Sequence, residues 1–253
     1  MNMKLLAGAC AAAVCSLWVG QAMADPSGTL GVGYNYTTAP GLSGHLNDWN
    51  VNGSIAAPIT SNLSLQGDAS YDGFSGSGGG NFHTTQVSGS GFWQGAKGRL
   101  GLTAGYNEFG ASGTSVHFEN YGGFGVMYAT DRLTLGLKAG GLTGSGLHAT
   151  YVGGEIVGYA TPNVALSGTI DYAGISGSHI NTYGAKVEYL VSETTPISIT
   201  GGYTYTDLGG GFHLNTWMIG GKFYFGGKGT LVDHQRSGAE TWGTKQSALT
   251  FLF

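Results

Sequence analysis

The stretch from Val164 to Tyr172 reads Val-Ala-Leu-Ser-Gly-Thr-Ile-Asp-Tyr and alternates between apolar and polar side chains. Because successive side chains of a β-strand point to opposite faces, this order predicts a strand. The apolar face carries Val164, Leu166, Ile170 and Tyr172, and the polar face carries Ser167, Thr169 and Asp171. Residues 133–140 and 181–189 alternate in the same way, so we expect a sheet with one apolar and one polar face.

A hairpin unit of about 33 residues repeats along the chain. In each copy an apolar residue precedes a Gly/Ser loop, and these residues are Phe74, Phe109, Leu142, Ile175 and Leu208. A histidine then opens the next strand, and this position is held by His45, His83, His117, His148, His179 and His213. Two strands per unit predict twelve antiparallel strands in all.

The chain is rich in glycine and poor in charge. Of its 253 residues 49 are glycine, and only 9% are charged. Ten Lys and Arg residues against fourteen Asp and Glu residues leave no basic stripe, which argues against nucleic-acid binding. A soluble barrel would need many charged side chains outside. We therefore expect the apolar face to contact lipid and the polar face to line a closed interior.

The first 24 residues have the pattern of a secretory signal peptide. Lys4 precedes an apolar stretch over residues 5–19, and Ala22-Met-Ala24 offers small residues for cleavage near Ala24. Both cysteines, Cys10 and Cys15, lie inside this segment. Residues 25–253 therefore contain no cysteine, which excludes disulfides and thiol chemistry there.

Aromatic side chains are concentrated near both ends of the predicted strands, as two membrane interfaces would require. The belt near the Gly/Ser loops is predicted to contain Trp49, Tyr71, Tyr106, Tyr121, Tyr172, Tyr183, Tyr203 and Trp217. The opposite belt is predicted to contain Trp93, Tyr128, Tyr159, Tyr189, Phe223 and Phe225. In strand 114–129, simple alternation places Phe124 and Tyr121 on opposite faces of the sheet. We expect a bulge at Gly122–Gly123, which shifts the alternation by one residue and reverses the faces of the residues that follow.

These features resemble the bacterial outer-membrane β-barrel proteins, porin-like in the broad sense. The final residues Leu249-Thr-Phe-Leu-Phe253 are similar to the C-terminus that the barrel-assembly machinery recognises in that family. The resemblance implies an all-β transmembrane antiparallel up-and-down barrel over residues 25–226, in contact with outer-membrane lipid. Residues 227–253 are predicted to form a periplasmic tail, with the alternative that they add a thirteenth and a fourteenth strand. Whether the protein forms a homo-oligomer is left open by the sequence.

The inner face is expected to hold small and polar side chains and no large apolar group. Charged candidates for lining a pore are Asp68, Asp72, Arg99, Lys138, Glu155, Asp171, Lys186, Glu188 and Lys222. Their acids and bases nearly balance. We therefore predict a passive, weakly selective channel for ions or small polar solutes, with a non-conducting structural or surface-interaction barrel as the alternative.

The sequence contains no pattern that indicates catalysis. Neither Gly-x-Ser-x-Gly nor His-Glu-x-x-His occurs, and we predict no cofactor and no enzyme activity. The six repeated histidines suggest a metal site at first. However, on a twelve-stranded barrel they would stand roughly 12 Å apart, whereas a zinc–nitrogen bond is about 2 Å long. They are instead expected at the outer rim, facing the headgroup region.

Overall fold

A computed structural model describes residues 26–41, 44–77, 80–111, 113–175, 178–226 and 229–239. The predicted signal peptide and the C-terminal residues 240–253 lie outside these ranges. Twelve strands and one helix follow in chain order: β1 (Ser27–Thr38), β2 (His45–Pro58), β3 (Leu63–Gly76), β4 (Asn81–Gly95), β5 (Gly98–Ala111), β6 (Thr114–Thr130), β7 (Leu133–Gly144), β8 (Leu147–Thr161), β9 (Val164–Ile175), β10 (Ser178–Ser192), β11 (Ile197–Asp207), β12 (His213–Phe225) and α1 (Leu231–Ser237).

The strands form a closed barrel in which each pairs antiparallel with its neighbours in sequence, and β1 pairs with β12. The twelve-stranded prediction is confirmed. We call the end with the short connections at 59–62, 96–97, 131–132 and 162–163 the turn end, and the end with the Gly/Ser connections the loop end. Residues 26 and 226 both lie at the turn end, because Gly28 pairs with Phe225. Within the described residues no helix is long and apolar enough to cross a bilayer.

Exposure alternates along the strands as the sequence predicts. On β9, Leu166 and Ile170 are 53% and 56% exposed, whereas Asp171 between Ile170 and Tyr172 is 3% exposed. The same division holds on β5 and β7, where Leu102 and Leu137 are at least 70% exposed. The apolar side chains therefore cover the outside of the barrel, and the polar ones line its interior.

The bulge expected at Gly122–Gly123 is wrong. Strand β6 keeps an unbroken register with β5 through both glycines, and its only irregularity with β7 lies between Tyr128 and Thr130. Tyr121 consequently faces outward, 57% exposed, while Phe124 faces inward at 2%. The parity conflict resolves because Phe124 belongs to an apolar cluster inside the barrel with Phe92.

Large apolar residues do occupy the interior near the turn end, contrary to the prediction of a small-residue lining. Two buried clusters contain Ala56, Phe92, Phe124, Val126, Val157, Tyr159, Ala165, Leu190 and Tyr224. Leu231 of helix α1 and Ala239 beyond it belong to the same clusters. The helix is the physical reason, since an apolar surface placed inside a polar barrel needs apolar side chains to pack against.

We predict that Phe124→Ala lowers the free energy of unfolding by about 3–5 kcal/mol, because it leaves a cavity against Phe92 that rigid neighbours cannot fill. Leu102→Ala, which faces outward on β5, should cost much less because fluid detergent or lipid fills the space. Urea unfolding of both variants in detergent measures the difference. Equal losses would contradict the inward position of Phe124.

Candidate functional site

The charged interior is the candidate functional site. All nine predicted pore-lining residues occupy inward positions of the strands that carry them, as the alternation of burial shows. One further inward acid, Asp48 on β2, was missing from the prediction. Asp48 alternates in step with the inward polar residues Asn50, Asn52 and Ser54, so its inward position could have been predicted from the sequence. The inward strand residues thus include six acids and four bases: Asp48, Asp68, Asp72, Glu155, Asp171 and Glu188 against Arg99, Lys138, Lys186 and Lys222.

The register brings Lys138 and Asp171 together across strand β8. Lys138 Nζ lies 2.7 Å from Asp171 Oδ1, and both side chains are largely shielded from solvent. Gly153 on β8 stands between them, and a Cβ at that position would collide with the Asp171 carboxylate. Glycine is therefore needed here to leave room for the ion pair.

A second ion pair joins Lys222 and Glu188, with Lys222 Nζ 3.0 Å from Glu188 Oε2. Glu188 is 1% exposed and accepts further hydrogen bonds from Ser198 Oγ and Tyr224 Oη, both at 2.6 Å. Gln235 of helix α1 donates to the same carboxylate at 3.3 Å. Glu188 thus links the barrel wall to the helix.

Helix α1 lies inside the turn end of the barrel. Its first turn is closed by a capping box between Thr230 and Asp233, which satisfies free backbone amides. Leu231 is completely buried, and its backbone amide donates to Asn163 Oδ1 at 3.2 Å. The helix therefore narrows the interior at this end.

Two arginines fasten the helix to the wall. Arg99 of β5 donates through Nη2 to the carbonyl oxygens of Arg236 and Gly238, at 2.6 and 3.0 Å. Arg236 in turn donates through Nη2 to the carbonyl oxygens of Thr130 and Leu133, at 2.7 and 3.2 Å. Arg99 is thus placed against the helix instead of along an open stretch of the interior.

Tyr128 and Tyr159 do not belong to the outer aromatic belt, where the sequence placed them. Both rings lie inside, and the Arg236 guanidinium sits 4.9 Å from one ring centroid and 5.4 Å from the other. The Tyr128 hydroxyl donates to the Arg236 carbonyl oxygen at 2.8 Å, and the Tyr159 hydroxyl donates to Gln235 Oε1 at 2.8 Å. Each ring shares its face with the inward residues before it on the strand, Val126 on β6 and Val157 on β8, and helix α1 supplies the hydrogen-bond partners.

A gap remains beside the helix. It is a cavity of about 260 Å³ between α1 and the wall formed by β1–β4 and β12. Its lining includes Ser27, Ser64, Gln94, Tyr224 and His234. This gap is the space that the helix leaves beside that part of the wall.

The repeated apolar residues face inward near the loop end. Phe82 stacks on Phe74 with ring centroids 4.5 Å apart and lies 5.3 Å from Phe109. Leu142 packs with Phe118, and Ile175 and Leu208 pack against Ile180. The periodic apolar position therefore corresponds to a series of inner apolar contacts at the loop end, from β3 to the connection after β11.

The six repeated histidines face outward at the loop-end rim, on the same face as the exposed aromatics. Five of them contact a tyrosine of the preceding strand, with ring centroids 5.1–6.2 Å apart: Tyr36–His45, Tyr71–His83, Tyr106–His117, Tyr172–His179 and Tyr205–His213. Gly141 stands at the corresponding tyrosine position beside His148, whose Nδ1 instead lies 3.0 Å from Thr143 Oγ1. Among the described residues no three His, Cys, Asp or Glu side chains form a group that could hold a metal ion.

No family model and no curated protein matches the sequence. Solved structures do share the fold. An outer membrane channel from Pseudomonas putida F1 superposes with a TM-score of 0.57 at 10% identity, over 81% of this chain and 97% of that one. The translocator domain of the autotransporter NalP from Neisseria meningitidis gives 0.53 at 13% identity, over 88% and 96%. The KdgM porin in complex with disordered oligogalacturonate gives 0.52 at 13% identity, over 77% and 99%. The chain therefore has the fold of the outer-membrane β-barrels.

Arg236→Met is expected to loosen the helix, because hydrogen bonds to a charged group contribute about 1.5–3 kcal/mol each. A thiol introduced at the buried position Leu231 reports this, since residues 25–253 contain no other cysteine. We expect its maleimide labelling to accelerate at least about tenfold in the Arg236→Met background. Arg132→Met, which removes an exposed turn arginine, should leave the rate unchanged. Equal rates in all three proteins would show that Arg236 does not hold the helix.

Acid is also expected to loosen the helix. His234 is 4% exposed and stacks on Tyr224 at 4.7 Å, and burial lowers its pKa below the ordinary 6.5, with Asp233 opposing the shift. The undocked helix therefore binds the proton more readily, so docking weakens as the pH falls below about 6.5. His234→Phe keeps a ring against Tyr224 and does not titrate. The labelling rate of Leu231→Cys, divided by its rate in the His234→Phe background, should rise from pH 7.5 to pH 5, and thiol ionisation cancels in that ratio. A flat ratio would contradict the shift.

Proposed function

We propose that this protein is a passive channel of the bacterial outer membrane for ions or small polar solutes. The observation that carries the proposal is the closed barrel with apolar side chains outside and ten charged side chains directed inward. A closed sheet satisfies its backbone hydrogen bonds internally, as a membrane-spanning structure requires. The fold shared with a channel and a porin supports the same conclusion.

The outer surface fits this environment. Leu102 and Leu137 are at least 70% exposed between the two ends of the wall, and a continuous apolar outer wall of this kind is stable against hydrocarbon. Exposed tryptophans stand on either side of this apolar zone, Trp49 and Trp217 towards the loop end and Trp93 towards the turn end. Because residues 26 and 226, before the first strand and after the last, both lie at the turn end, we place that end in the periplasm. Outer-membrane lipid and the barrel-assembly machinery are the partners that this placement implies.

A solute would follow the charged interior from the loop end and leave through the gap beside helix α1. Conduction needs no covalent step, since it depends on lumen width and on the charges along the wall. Two of the four inward bases are neutralised by ion pairs, Lys138 with Asp171 and Lys222 with Glu188. Their fields largely cancel, which favours weak selectivity.

Single-channel recording of the purified protein in planar bilayers tests the proposal. We expect discrete current steps, and we expect Arg236→Met to increase the step size because it releases the helix that narrows the path. No current above leak in either protein would establish the second candidate, a non-conducting structural barrel. That candidate is favoured by the helix and the apolar clusters at the turn end.

Membrane insertion has its own test on the outer wall. Leu137→Arg places a charge at the middle of the apolar zone and should cost about 2–4 kcal/mol of folded stability in lipid. Ser61→Arg, in an exposed turn, should cost almost nothing. The folded fraction in lipid vesicles, measured by the heat-dependent shift in gel mobility, separates the two variants. Equal folding would argue against lipid contact at Leu137.

A further inference from the structure

Two inward carboxylates stand near the loop end of the interior. Asp48 is the third residue after His45 at the start of β2, and Asp72 is the fourth residue before the end of β3 at Gly76. Asn50 pairs directly with Asp72, so Asp48 and Asp72 are diagonal neighbours on one face of the β2–β3 ladder. Diagonal inward positions bring the two side chains within reach of the same small solute.

The hydrogen bonding of this pair is incomplete. Asp48 is 6% exposed, and its Oδ2 accepts a hydrogen bond from Asn35 Nδ2 at 2.6 Å. Its Oδ1 is buried and has no hydrogen-bond partner among the described residues. Asp72 Oδ2 accepts from Thr84 Oγ1 at 2.9 Å. A buried carboxylate without a compensating charge is costly, so this arrangement calls for a positive partner.

The four inward strand bases that the structure describes are engaged or placed elsewhere. Lys138 is paired with Asp171, Lys222 with Glu188, and Arg99 donates to carbonyl oxygens of the helix segment at the opposite end. Lys186 stands on β10, four strands from β2 around the barrel. Within the part of the chain that the structure describes, neither Asp48 nor Asp72 forms an ion pair. The loop-end stretch of the β2–β3 wall is therefore negatively charged, whereas in the ion pairs elsewhere the positive and negative charges neutralise each other.

We propose that Asp48 and Asp72 form a transit site for monovalent cations, which makes the channel cation-selective. The proposal rests on the channel function proposed above and deepens it. Carboxylate and amide oxygens suit hard cations, and Asn35 and Asn50 stand beside the two acids. Two carboxylates are too few for a tight metal site, in line with the absence of a metal-holding group of three in the described residues. Weak binding of this kind allows an ion both to enter and to leave.

The test is the reversal potential of the full-length processed protein in planar bilayers, between about 0.1 M and about 1 M KCl, where screening on the dilute side still leaves wall charges effective. Wild type should favour K⁺ over Cl⁻. The double variant Asp48→Asn with Asp72→Asn keeps the side-chain sizes and should lower the permeability ratio at least about twofold. Asp207→Asn is the matched control. It removes one negative charge at the same end from an outward position, and its amide oxygen can still accept from the Gly209 amide.

The outcomes separate the two proposals. A wild type that conducts without preferring K⁺ overturns the cation site and leaves the channel intact, and this arm requires no variant to fold. An unchanged ratio in the double variant, or an equal loss in Asp207→Asn, also overturns the site. Absence of any wild-type conductance overturns the channel itself. A K⁺ preference that is lost in the double variant alone assigns it to Asp48 and Asp72.

Discussion

The barrel exists because its first strand, β1, pairs with its last, β12. Eleven residue pairs from Gly28–Phe225 to Thr38–Asn215 close the sheet on itself, so the twelve-stranded sheet has no open edge. Closure removes the unpaired backbone groups that hydrocarbon could not satisfy. It also divides every strand between an outside and an enclosed inside, and this division determines where each side chain can go.

The main energetic cost of this fold is the burial of polar and charged side chains inside the barrel. Polar and charged groups there are stable only with partners, and the ion pair of Lys138 with Asp171 and the cluster around Glu188 show two ways in which they find them. Near the turn end the interior changes character, because apolar side chains gather around Leu231 of helix α1. The interior thus has a polar middle section and, at the turn end, an apolar region that packs against helix α1. In the proposed channel, the width left between helix and wall would limit what passes.

Much of this fold could be predicted from sequence because the governing signal is local. The two-residue alternation in 164–172 and the repeated histidine position specified strand faces and strand number. Tyr159 has the same parity as the inward Glu155 on β8, so alternation already indicated its face, and only its position near the strand end suggested the outer belt. The contacts of Tyr128 and Tyr159 with Arg236, more than seventy residues away in sequence, are encoded by no local pattern.

For the site, too, the sequence predicted the face of each side chain but not its contacts. Parity alone placed Asp171 and Lys138 inside, but their pairing depends on the register of three strands and on the space left by Gly153. The capping box of Thr230 and Asp233 is a contact within one helical turn, whereas the docking of the helix inside the barrel is a tertiary property that the sequence analysis did not predict. Asp48 could have been found, because it follows the same alternation as its neighbours on β2.

Spin labels placed one at a time along β9 in lipid vesicles show whether side chains alternate between hydrocarbon and an enclosed interior. We expect that collision with oxygen, which dissolves in lipid, peaks at Leu166, Ile170 and Tyr172. Collision with a water-soluble nickel complex should peak at Ser167, Thr169 and Asp171. Profiles that rise and fall together, or that show no two-residue period, would contradict this alternation.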